Sequence, residues 1–299
     1  LASAGRALGF VRAQLLSELG GVWLELGGLT GSAASVQASI DCLSQALREA
    51  ALPDANLRVL LHNNLASAYR LLATLSGSPV AYTAAEQHYE QALSLLQLAR
   101  APAPSWLPVV SNWANLSLRA LLAPSPALAF ALSWSGEPMG EGALAAATTH
   151  TLGTVEHAQQ QDTLQKVSKA LTAVLVQDPD CALARWQLAR VYGAMAALLP
   201  VGVQQQVACA GALEHGQALH TLLLANPGAL SAVRAHELNS WLAQVALVQA
   251  LCAPSAADAR VHLDALSAAV DSFQAASDTA APVWCALAHQ VLCALTVTH

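Results

Sequence analysis

Residues 178–192 read DPDCALARWQLARVY, and this stretch decides the fold. Pro179 has no backbone N–H and cannot continue a helix, so it marks the end of one helical run. Ala182 opens the next. Within that second run Leu188, Ala189 and Tyr192 form a large-small-large set on one helical face, the arrangement by which a helix accepts a close neighbour. The stretch is therefore the joint between two packed helices. A second Pro-marked joint follows at Asn226-Pro227-Gly228.

The same organisation repeats toward the N-terminus, with a spacing of 46 residues. Trp23 recurs as Tyr69, Leu19 as Leu65, Gly20 as Ala66 and Leu26 as Leu72. Gly31-Ser32 recurs as Gly77-Ser78, and Gln45-Ala46-Leu47 as Gln91-Ala92-Leu93. These matches fall in both helices and in the turn between them, so residues 14–98 read as two copies of one helical hairpin. In the second copy Leu65, Ala66 and Tyr69 carry the packing set of the first helix, and Ala85, Tyr89 and Ala92 that of the second. Small residues opposite a ring let helix axes approach to roughly 8–10 Å. Residues 109–122, VVSNWANLSLRALL, align with residues 60–73, LLHNNLASAYRLLA, and predict a third first helix after Pro102, Pro104 and Pro108.

Order weakens over residues 123–142, which hold Pro124, Pro126, Pro138, Gly136, Gly140 and Gly142. This segment is either a domain boundary between residues 1–122 and 143–299 or a loop inserted in one continuous array. Helical periodicity then returns, with Leu164, Val167, Leu171 and Val174 on one stripe. A helix is expected over residues 203–225, and three more over 229–252, 256–276 and 281–298. No stretch shows the alternation of a strand.

The joint at Asp178–Tyr192 and the repeated packing set resemble the tetratricopeptide (TPR) repeat family, most closely at that joint, well across residues 14–98 and weakly after Pro227. The resemblance implies an all-α, right-handed α-solenoid of five or six helical hairpins. Against the usual repeat of roughly 34 residues, both N-terminal copies are long, with a longer turn expected around Gly31 and around Gly77 to Tyr82, where extended helices or loops would project from one edge. It further implies that first helices line a concave face that holds a peptide or partner helix. Inward positions would then be Glu18 and Glu25, then Asn63, Asn64, Ser67 and Arg70. Asn112, Trp113 and Arg119 would follow, and Trp186, Gln187 and Arg190. Arginines among amides and tryptophans suit an extended acidic segment, because guanidinium binds carboxylate through paired hydrogen bonds and Trp supplies contact area. Packing against neighbouring helices is the competing reading of the same side chains. The family's two-carboxylate clamp for chaperone tails uses lysines at inward positions where this chain has Asn63 and Asn64, so that specificity is not expected.

Composition sets the remaining bounds. Apolar residues make up 55% of the 299 residues, ample for a core, while charged residues are only 11% against a typical figure of roughly 25%. With a mean hydropathy of +0.43, either neighbouring subunits cover much of the surface or Ala, Gln and Ser replace Lys and Glu on exposed faces. Thirteen basic residues face 19 acidic ones without any basic cluster, which disfavours direct nucleic-acid binding. Lys166 and Lys169 read as a solvated helical face. Cys42, Cys181, Cys209, Cys252, Cys285 and Cys293 follow no CxxC or framework spacing, so reduced, mostly buried thiols in an intracellular, reducing compartment are expected. The chain starts at Leu1 with no initiator Met and no charged leader, as a fragment would. Residues 279–299 lack Asp, Glu, Lys and Arg, but Pro282, His289 and Gln290 favour a buried terminal helix over a membrane span.

Chemistry-bearing motifs are sparse. There is no glycine-rich phosphate loop, HExxH or GxSxG. His236-Glu237 lacks the second His, and His215 and His220 are five apart, off a common helical face, so no metal or other cofactor is expected. Asp178 and Asp180 suit turn and cap duty better than acid-base work. The sequon Asn115-Leu116-Ser117 falls in an expected helix. The expected function is thus a non-catalytic scaffold or adaptor that binds other protein subunits or an acidic peptide. Two alternatives stay open: a helical-repeat component of an organellar ribonucleoprotein particle, and an enzyme whose site uses His150, Glu156 and His157.

Overall fold

The computed structural model describes residues 2–49, 55–119, 157–199 and 202–225, together with 260, 261 and 264. Among the described residues the protein is all-helical, with eight α-helices, a short 3₁₀ turn and no strand. The chain divides into two compact units, the division falling at Ser117.

The first unit begins with two helical hairpins. Helices α1 (Ala2–Thr30) and α2 (Ala33–Glu49) form one, and α3 (Ala55–Ser76) and α4 (Pro79–Leu98) the other. α1 packs on α2 and α3 on α4, α2 packs on α3, and α1 also touches α3. After a 3₁₀ turn at Ala103–Trp106, α5 (Leu107–Arg119) starts two residues earlier than the alignment of residues 109–122 predicts. The turn feeds straight into it, and Pro108 sits in its first turn, where no N–H is needed.

The 46-residue repeat is reproduced in hydrogen bonds. Gly31 and Gly77 both have φ +65, the left-handed conformation that glycine adopts without a Cβ clash. The Ser35 amide donates to Ser32 Oγ at 3.2 Å, and the Ala81 amide to Ser78 Oγ at 3.3 Å. Val36 N–H donates to the Ser32 carbonyl and Tyr82 N–H to the Ser78 carbonyl, each at 3.1 Å. On the preceding helix Thr30 Oγ1 donates to the Leu26 carbonyl at 2.7 Å, as Ser76 Oγ does to Leu72 at 2.6 Å. Serine caps of this kind each stabilise a helix start by about 1 kcal/mol. The longer turn expected around Gly31 and Gly77 to Tyr82 is corrected. Both turns span two residues, Tyr82 lies buried inside α4, and the extra length is helix.

The core of the two hairpins comprises Val36, Ile40, Leu43, Ala46, Leu57, Leu61 and Leu65 with Ala13 and Ala68. In the second hairpin Ala85, Tyr89 and Ala92 are fully buried, as their spacing predicts. α1 meets α2 through small residues: Ala13, Ser17, Gly20 and Gly27 are its buried positions. Ser39 Oγ donates to the Gly20 carbonyl at 2.7 Å, a bond that requires close approach of the two helices.

In the second unit α6 (His157–Gln177), α7 (Ala182–Leu198) and α8 (Val203–Ala225) pack in succession, α6 on α7 and α7 on α8. Leu164, Val167, Leu171 and Val174 form a fully buried stripe on α6. α6 ends one residue before Asp178 and α7 starts at Ala182, so the joint lies where Pro179 puts it. Backbone bonds close it: Asp178 N–H donates to Val174 and Cys181 N–H to Asp178. Neither aspartate caps α7. The cap position belongs to Cys181, whose side chain makes no capping bond, while Arg185 Nε donates to the Pro179 carbonyl at 2.9 Å. Tyr192 rests on Gly211, where an added Cβ would lie 3.0 Å from the ring, and stacks on His215 with centroids 5.7 Å apart. Tyr69 stacks on His88 of α4 in the same way at 5.6 Å. The expected connection at 123–142, the joint at Asn226–Gly228 and the residues 279–299 lie outside the described residues.

Candidate functional site

α3 carries a half-buried part of the expected groove. Asn63, Ser67 and Arg70 are four and three residues apart and share one face of the helix. All three are half-buried, as is Asn64 on the adjoining face. Asn63 Oδ1 accepts from Asn112 Nδ2 of α5 at 3.3 Å, which ties the two helices together by their amides. Ser67 Oγ and the Tyr89 hydroxyl hydrogen bond at 3.3 Å, linking the same face to α4. Arg70 stands apart: its Nε is buried and has no hydrogen-bond partner among the described residues. A guanidinium N–H removed from water needs an acceptor, and carboxylate is the strongest one a peptide offers.

Other expected groove residues lie inside the protein. Trp113 is 1% exposed, and Trp186, Gln187 and Arg190 are 0%, 1% and 0% exposed. Arg190 Nη1 donates to Gln187 Oε1 at 3.0 Å, and its guanidinium carbon lies 5.3 Å from the Trp186 ring centroid. The four side chains are thus packing elements of this conformation, which corrects their assignment to an open face. Three of the four lie on α7, which packs on both α6 and α8, and Trp113 lies on α5. Glu18 and Glu25 are exposed on α1. The side chain of Arg119 and residues 150 and 156, with the side chain of His157, lie outside the described residues.

A feature that sequence spacing does not disclose sits beside Asn63. His62 and His88 share a hydrogen bond of 2.9 Å between their Nδ1 atoms, one ring donating and the other accepting. Burial is the main cause that lowers the His62 pKa from 6.5 to about 4, with the charges of His88 and Arg58 adding to it. Burial also lowers the pKa of His88. Nothing in the residues alone joins two histidines 26 apart; the α3–α4 turn must first bring them level. His215 is lowered by burial as well, and its Nδ1 has no hydrogen-bond partner among the described residues.

Cys42, Cys181 and Cys209 are free thiols, half-buried rather than buried. Burial raises the pKa of Cys42 and of Cys181, so neither is a primed nucleophile. Asn115 and Ser117 of the sequon are buried on α5, a position closed to a glycan. Lys166 pairs with Asp162 at 3.0 Å on the exposed face of α6. Among the described residues no three His, Cys, Asp or Glu side chains group as metal ligands, and no helix is long and apolar enough to cross a membrane. The chain matches no family model, no curated protein and no solved structure.

Proposed function

We propose that the protein is a TPR-like helical-repeat scaffold or adaptor, a right-handed α-solenoid whose α3 face binds an extended acidic segment of a partner protein. The duplicated hairpin supports the repeat reading, since its glycine turns and capping bonds recur at the 46-residue spacing. The half-buried Arg70, with an Nε that has no hydrogen-bond partner among the described residues, is the single observation that carries the acidic ligand. Asn63, Ser67 and Asn112 flank it with amide and hydroxyl groups able to hold a peptide backbone. Free thiols at Cys42, Cys181 and Cys209 suit a reducing compartment.

Fluorescence anisotropy with Asp- and Glu-rich peptides tests the reading. Arg70→Glu should weaken binding at least about tenfold, or 1.4 kcal/mol, with an unchanged circular dichroism spectrum. Peptides that bind the parent and the Arg70→Glu chain equally, or bind neither, remove the proposal. Arg190→Glu is unsuitable as a companion variant, because it would place a carboxylate in the core.

A further inference from the structure

An ordinary surface helix turns its large apolar residues inward and its polar residues to water. α1 is apolar on both faces. Its inward face carries the buried Ala13, Ser17, Gly20 and Gly27 with the half-buried Phe10, Leu16 and Leu24 packed on the core, while Leu8, Val11, Leu15, Leu19, Val22, Leu26 and Leu29 face outward. Their exposures run from 40% at Leu26 to 87% at Leu29. At 100° per residue the seven fall in a sector of about 80°, one unbroken stripe roughly 32 Å long. Glu18 and Glu25 stand at one edge. Arg12 stands at the other, held by an ion pair of 3.0 Å to Glu49 of α2. This is an apolar centre with a polar rim, the anatomy of an interface.

We infer that this stripe is a dimer interface, on which α1 of a second copy of the chain lies antiparallel. Two properties single out a second copy. First, the spacing is self-complementary. Leu8 and Leu29, Val11 and Leu26, and Leu15 and Val22 lie at equal distances on either side of a midpoint between residues 18 and 19, beside Leu19. Two such helices related by a two-fold axis through that midpoint set six of the seven large side chains level with another, and Leu19 lies next to its own copy at the axis, as an isologous contact requires. Second, the area is of the right size. The stripe exposes about 700 Å² per copy, more than the 300–600 Å² of the largest patch on a typical monomer. Pairing buries on the order of 1,400 Å², within the roughly 1,200–2,000 Å² of specific interfaces.

Sedimentation equilibrium of the full chain tests this, with two sets of variants. The parent should be a dimer at about 100 µM, and Leu15→Glu/Val22→Glu should weaken the dimer at least about a hundredfold, or 2.7 kcal/mol, with unchanged helicity. Oxidised mixtures of Leu8→Cys chains with Leu29→Cys chains should form linked dimers faster than either variant alone, above the parent's own background. A parent that stays monomeric overturns the inference, as does a dimer indifferent to the two glutamates. Leu8→Cys chains that link to one another as fast as to Leu29→Cys chains also overturn it, because they report a parallel or unregistered contact. A monomer in which the two glutamates lower helicity points instead to cover by another stretch of the same chain, and likewise overturns it.

Discussion

His62 and His88 show how a single hydrogen bond couples the fold to pH. Both rings have folded-state pKa values below the ordinary value of 6.5, that of His62 at about 4. The unfolded chain therefore binds more protons between these limits. Stability is fully present above about pH 6.5 and falls as the pH drops toward 4, the reverse of a histidine that gains an acidic partner. The expected loss across that window is on the order of 2 kcal/mol for His62, read as a falling urea midpoint from pH 7 to pH 4.5. A His62→Gln chain should show a flatter profile. At the same scale, Asn63, Ser67 and Arg70 are read from the inward positions that the repeat resemblance implies, and their spacing of four and three puts them on one face of α3. Trp186 and Arg190 could not be placed, since an aromatic ring and a guanidinium serve an open groove or a packed helix pair equally well. Their burial in the folded chain decides between them.

Glycine separates the two faces of α1 at the scale of the element. A Cβ added at Gly27 would lie 2.6 Å from Val36 Cγ2 and 3.2 Å from the Val36 amide nitrogen, a stiff branched side chain and its backbone. A Cβ added at Gly21 meets nothing within 4 Å. Gly21→Ala should therefore stabilise the protein by up to about 1 kcal/mol through helix propensity. Gly27→Ala should cost about 1–3 kcal/mol, because overpacking outweighs the same propensity gain. Urea unfolding of the two variants checks both signs, and a stabilising Gly27→Ala would mean that α1 and α2 are less closely packed than this. Helix boundaries were legible wherever turn chemistry was explicit: at Gly31-Ser32, at Gly77-Ser78 and at Pro179. The length of the turns was not, because Pro79 starts a helix as readily as it ends one, and Tyr82 gives no sign of which side it joins.

For the whole molecule the outward stripe of α1 links stability to concentration. A native state that pairs through α1 is favoured by mass action, so the thermal midpoint should rise with protein concentration. Calorimetry at two concentrations about a hundredfold apart reads this, and Leu15→Glu/Val22→Glu should remove the dependence. The scarcity of charge has a local counterpart in this helix. Seven large aliphatic side chains lie outside the core while Phe10, Leu16 and Leu24 pack inward among small residues. That pattern is written plainly in residues 8–29, but its direction is not. A helix apolar on both faces does not say which face meets its own chain.

The sequence by itself determined that the described protein is helical, where its hairpins turn and which residues repeat at 46. Periodicity, proline and the left-handed glycine are local constraints that act wherever the chain is. Tertiary structure alone decided that Arg190 and Trp186 are interior, that His62 meets His88, and that Leu8, Leu15, Leu19, Leu26 and Leu29 of α1 face outward. Each depends on which helix lies across from the residue, and packing across helices is a property of distant parts of the chain brought together.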